Sequence, residues 1–223
     1  MSDDNWSGLA LIAGSAGMII TMSLHPTGHD LFVPGRMAVV TLLTRATHGL
    51  ALASSPVVFL GVLGLARRLG WNERASVAAL VLYGFGLMAV MNAGVASGLV
   101  APEIGRRIVE GDAATGELWR VAFRYNGMVN QGFAMVFVVA SSVAILLWSM
   151  VMVRNGALSR GVGIYGCILG PLTVLAVISG HVRLDVHGFG VIVLGQAIWY
   201  VAVGAALWRG ASRDSEDSAM AKA

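Results

Sequence analysis

The sequence predicts an all-α integral membrane protein with six transmembrane helices. Three observations carry that prediction. Six runs hold no charged residue: Asn5–Leu24, Ala46–Ala66, Ala75–Pro102, Tyr125–Val153, Gly161–Gly180 and Val186–Trp208. Each is about 20 residues or longer, the length at which a helix crosses the ~30 Å hydrocarbon core of a bilayer. The composition agrees, at 57% hydrophobic, 12% charged and a mean hydropathy of +0.75, where soluble domains carry about 25% charged residues. Finally, the runs do not alternate. In lipid every backbone polar group must be satisfied within the protein, which leaves helices or a closed barrel, and barrel strands alternate over about 10 residues.

The first run follows Asp3 and Asp4 with no basic residue before it. A secretory leader has a basic start, so this run is expected to be a permanent span. Spans two and three carry glycines that let helices approach closely in lipid: Gly61 and Gly64, then Gly84, Gly86, Gly94 and Gly98. The same small-residue faces allow homo- or hetero-oligomers. Residues 1–210 are expected to form one six-helix domain, and residues 211–223 a short disordered polar tail. Cys167, the only cysteine, lies inside the fifth span. No internal disulfide or thiolate cluster is therefore possible.

Six spans put both termini on one side. That side holds Arg67, Arg68, Arg74, Arg154, Arg160, Arg209, Arg213 and Lys222, while Arg36, Arg45, Arg106, Arg107, Arg120, Arg124 and Arg183 fall on the other. The bias is slight, and four of the second group sit in the Pro102–Arg124 connection beside Glu103, Glu110, Asp112 and Glu117. The expected orientation has both termini in the cytoplasm, within a multi-pass protein of the bacterial cytoplasmic (inner) membrane. Trp6, Trp71, Trp148 and Trp208 would then form an aromatic belt at the cytoplasmic interface. The long connection is expected to hold a short interfacial helix around Ile104–Val109. No basic cluster with interleaved aromatics points to nucleic acid.

Spans three and five share a pattern at a constant offset of 82 residues: Tyr83-Gly84, Ser97-Gly98 and Glu103 against Tyr165-Gly166, Ser179-Gly180 and Asp185. The returning spans open on His48-Gly49, Asn126-Gly127 and His187-Gly188. These echoes suggest three pseudo-repeated helical hairpins, whose outer turns would meet in one polar pocket.

All five histidines, His25, His29, His48, His181 and His187, fall on that outer side. His48 lies 19 residues from Arg67, about 28 Å of helix, near the outer boundary of the hydrocarbon. Arg45 is one turn before it. Ionisable groups at such a depth face the bundle interior, a partner or water. Asn126, Asn130 and Gln131 give the fourth span a polar face at similar depth. Neutral imidazoles ligate haem iron, zinc and copper. His48 and His187, with Arg45 for a propionate, are the candidate haem b pair. His25, His29, His181 and Asp185 are the candidate ligands of a divalent metal. Pro26 and Gly28 break regular helix between His25 and His29, so the two-histidine helix-face motif does not apply. Phosphate-loop, nucleophile-elbow and dinucleotide signatures are absent. Three function classes remain. One is a haem- or metal-containing redox carrier or small membrane enzyme. Another is a small-molecule or proton-coupled transporter or binder. The last is a non-catalytic subunit of a membrane complex.

Overall fold

The computed structural model describes residues 2–26, 35–156 and 158–220, with side chains to residue 210. Among these it is all-helical. The elements are α1 (Asp3–Ser23), α2 (Met37–Leu69), α3 (Arg74–Val95), a π-helical turn (Ala96–Val100), α4 (Ala101–Glu110), α5 (Ala113–Asn155), α6 (Arg160–Ile178) and α7 (Val186–Met220). With α3, the π turn and α4 counted as one continuous rod, six helices are long and apolar enough to cross a membrane. The chain is a polytopic membrane protein in contact with the lipid bilayer.

The helices form a ring. α1 packs on α2 and α7, α2 meets α3, α3 packs on α5, and α5 packs on α6. α6 and α7 touch only lightly. The packing therefore does not repeat over three hairpins. The first two pair closely, whereas α6 leans on α5 and α7 on α1.

Small residues set the close contacts. A Cβ on Gly64 would lie 1.9 Å from Ser7 Oγ, and one on Gly61 2.6 Å from Leu11 Cγ, so α2 meets α1 at van der Waals distance only with glycine there. Gly8 and Gly204 do the same between α1 and α7, as do Gly166 and Gly170 between α6 and α5. In lipid, where apolar burial drives little, such backbone approach gains the dispersion contacts that hold helices together. At the terminal end, Asp3 and Asp4 complement the α1 dipole and pair with Arg67 (2.9 Å) and Arg68 (3.1 Å) of α2.

Several helices begin earlier than the charge-free runs. α2 starts at Met37 and α5 at Ala113, so His48 and Asn126 do not open their helices. Arg45 and Arg124 lie within regular helix. The uncharged run marks the part of a helix that lipid can cover, and the helix itself continues past it into water. For the same reason the connection between the third and fourth spans is short. α4 continues the rod through the region expected to be interfacial, and only Gly111 and Asp112 separate it from α5. The Asp112 carboxylate caps α5 by accepting from Thr115 N–H at 2.8 Å. Arg106 and Arg107 pair with Glu103 along α4, and Arg107 lies over the Trp119 ring of α5.

Trp148 departs from the expected belt. Trp6 and Trp71 are 59% and 53% exposed at the terminal end, but Trp148 is fully buried. Its indole N–H donates to Ser76 C=O (3.2 Å), which satisfies its one polar atom and lets the ring enter the core. There it stacks on Trp199 at 6.2 Å, and Tyr83 and Tyr200 close the cluster.

Candidate functional site

Beyond that aromatic cluster, toward the histidine end, the ring surrounds a half-open cavity of about 160 Å³. Its wall comes from α1, α2, α3 with its π turn, α5, and the start of α7. Most of the wall is apolar, from Ala51, Leu52, Val90, Ala93, Phe137 and Val193. The polar groups are few: Thr21, His25, His48, Ser55, Ser97, Asn130, Gln131 and Asp185.

His25 and His48 meet here. Their Nε2 atoms are 3.1 Å apart, and the rings lie edge to face at 4.7 Å. Each Nδ1 has a partner of its own. His25 Nδ1 is 2.8 Å from Pro26 C=O, and His48 Nδ1 is 2.8 Å from Thr44 C=O. A carbonyl can only accept, so both Nδ1 atoms carry the proton and donate. A neutral imidazole then has an unprotonated Nε2. The two Nε2 atoms, each with a free lone pair, then lie within hydrogen-bond distance of one another. Only a positive species between them satisfies both: a shared proton or a metal ion.

The helices impose this geometry. α1 ends at Ser23, and Leu24 N–H and His25 N–H bond back to Ile20 C=O and Met22 C=O, carrying His25 over the helix end. Pro26 supplies a carbonyl without continuing the helix. Thr21 Oγ1 donates to Gly17 C=O (2.9 Å) and Thr47 C=O (3.3 Å), which ties α1 to α2 beside the pair. His48 is buried within regular helix and faces the π turn. A Cβ on Gly98 would lie 2.2 Å from His48 Cβ, so no larger residue fits opposite the imidazole. The π turn itself has a local cause. Pro102 has no N–H to donate, and the turn before it widens, with Ala101 N–H bonding to Ala96 C=O. Asn126 Nδ2 gives that carbonyl a second bond at 3.0 Å.

Of the candidate ligands named from the sequence, the structure brings His25, His48 and Asp185 to one cavity, and Asn130 and Gln131 line it as well. Asp185 is exposed at its rim, where its carboxylate accepts from Gly188 N–H (2.9 Å) and His187 N–H (3.1 Å) and caps α7. The Gly188 bond, with the nearby His187 and Arg183 charges, holds that carboxyl below the usual carboxylate range. His187 and Arg45 are exposed and do not line the cavity. His181 is exposed and bonds Ser179 Oγ at 2.7 Å. His29 lies outside the described residues. Burial pushes the His25 imidazole below its ordinary value, offset in part by the Pro26 carbonyl. Among the described residues no group of three or more His, Cys, Asp or Glu is gathered for a metal.

Asn126 and Gln131 serve structure. Gln131 Nε2 donates to Leu184 C=O (2.8 Å) and fixes the α6–α7 turn, and it also lines the cavity. Two groups were missed in the sequence. Gln196, buried on α7, donates to Ser141 Oγ (2.9 Å) and Ser142 Oγ (3.1 Å) of α5. Met18 and Met22 line the cavity together with His25, and their spacing on α1 was a readable signal.

No protein-family model, no curated protein and no solved structure matches the chain.

Proposed function

We propose that this membrane protein binds a transition-metal ion in the bundle cavity, with His25 and His48 as ligands through Nε2, and that the cavity opens to the extracytoplasmic face of a bacterial inner membrane with both termini cytoplasmic. One observation carries this reading: two Nε2 lone pairs 3.1 Å apart, each imidazole oriented by an Nδ1–H bond to a backbone carbonyl. Metal-bound histidines are held in this way by their other ring nitrogen. A metal at about 2.0–2.1 Å from both nitrogens, the usual length for zinc, would subtend roughly 100° at the observed separation, near the tetrahedral angle.

Two ligands and a partly apolar cavity leave coordination positions for a small exogenous ligand. The cavity is close in size to the engineered apolar cavity of about 150 Å³ that takes benzene, and a porphyrin is much larger. The site suits a metal-dependent carrier or small membrane enzyme working on a small molecule. A proton shared between the two imidazoles satisfies the same lone pairs, and the same bond therefore supports a second reading as a proton-coupled binder or transporter.

Metal analysis of protein purified in mild detergent tests the first reading. The expected result is one bound ion per chain after loading, lost in His25→Ala and in His48→Ala and retained in His181→Ala and His187→Ala. Wild-type protein that binds no more metal than the His25→Ala/His48→Ala double variant would overturn it and favour the shared proton.

A further inference from the structure

We infer that the metal of this site is monovalent copper, held by thioether sulfur as well as imidazole; this rests on the metal reading above. Met18 and Met22 stand at i and i+4 on one face of α1, and His25 follows two residues past the helix end. All three line the cavity, with His48 across from them on α2. Among the described residues that line the cavity, the soft donors are two imidazole nitrogens and two thioether sulfurs. Every one of them is uncharged. Among the described residues the one carboxylate that lines the cavity, Asp185, is committed to two backbone N–H groups as the cap of α7. The one thiol, Cys167, is on α6 and does not line the cavity.

Two physical effects choose the ion. Thioether ligands select copper(I) over zinc and over the oxygen-seeking divalent ions. The second effect is charge. A neutral donor set leaves the ion's whole charge in a cavity whose wall is mostly apolar, and the Born cost of that rises as the square of the charge. A monovalent ion incurs about one quarter of the divalent cost for equal radius, so a site without a carboxylate or thiolate ligand favours the monovalent ion. Methionines at this spacing also serve as plain packing, and the variants below separate the two roles.

The test is an anaerobic titration of the full-length protein in mild detergent with copper(I), in competition with a chromophoric copper(I) chelator, and in parallel with zinc(II) and cobalt(II). Wild type is expected to take one copper(I) per chain. The near-isosteric Met18→Leu/Met22→Leu variant is expected to lose at least tenfold in copper(I) affinity, with its circular dichroism unchanged. X-ray absorption at the copper edge of loaded wild type, which requires no variant, is expected to show sulfur in the coordination shell. Equal copper(I) affinity in wild type and the leucine variant, a shell without sulfur, or tighter binding of zinc(II) than copper(I) would each overturn the copper assignment while leaving a histidine metal site in place. Failure to bind any of the three ions would overturn both.

Discussion

The two halves of this bundle are built from the same helices and do opposite things with their interior. Toward the termini the interior is solid. Tyr83, Trp148, Trp199 and Tyr200 meet ring against ring, sealed by Leu11, Val58, Val62 and Leu65, and both indole N–H groups have partners. Toward the histidines the interior is hollow, and a few polar side chains stand in a largely apolar wall. The difference lies in what the helices place at facing positions. In the solid half, glycine on one helix meets a side chain on the next, and the backbones close up. In the hollow half, Pro102 widens α3 into a π turn, and the space before Gly98 is taken by one imidazole. Packing that stabilises the fold is concentrated in one half, and groups able to do chemistry in the other. Substitutions in the two halves should therefore separate stability from binding.

The largest effect is expected from Trp148→Ala. Removing this buried ring should cost about 3–5 kcal/mol of stability, read by thermal or denaturant unfolding in detergent, while protein that remains folded keeps its metal stoichiometry. A loss below about 1 kcal/mol would show that the aromatic cluster does not hold the bundle. Gly98→Ala comes next. The new methyl group must displace His48, at a cost of about 1–3 kcal/mol for overpacking. It should also abolish metal binding, measured as metal per chain. Wild-type metal content in this variant would detach the His48 position from the π turn.

Gln196 marks the border between the halves. Gln196→Leu keeps the volume and loses two bonds to serine hydroxyls, which in membrane proteins contribute about 0.6 kcal/mol on average. A loss of roughly 1 kcal/mol is expected, with metal affinity unchanged. A fall in affinity would mean that the border transmits to the cavity. His48→Ala should have the smallest net effect on metal-free stability, about 1 kcal/mol or less, because the void left by the buried ring is offset by the relief of an unsatisfied polar pair. It removes one of two lone pairs that oppose each other, and Thr44 C=O keeps its helical bond. A large destabilisation would show that the pair is a structural hydrogen bond built on a proton.

The spans were legible because lipid sets their length and forbids charge along it. The α1–α2 contact was legible on one side, since Gly61 and Gly64 are small residues one turn apart. The site was legible in part. His48 stands out by depth alone, and His25 by its place at a helix end, and both are expected near one another with His181 and His187 at the outer helix ends, but as ligand sets sequence spacing paired His48 with His187 and grouped His25 with His181. Which helix neighbours which is a matter of ring order, and nothing in the sequence states that α1 rather than α6 completes the cavity. The π turn was hidden as well, because its origin at Pro102 reads equally as the end of a span. Trp148 was expected in the interfacial belt, because its burial depends on a bond to Ser76, 72 residues away.

The central claim is that His25 and His48 face each other through unprotonated Nε2 atoms. Nitrogen-15 NMR of histidine side chains in the metal-free protein near neutral pH tests this most directly, with copper(I) or zinc(II) then added. The expected spectrum has two histidines protonated only at Nδ1, assigned to His25 and His48 by their Ala variants, whose Nε2 signals move on metal addition while those of His181 and His187 stay. An Nε2–H signal from either residue of the pair in the metal-free protein, or a response to metal confined to other histidines, would contradict it.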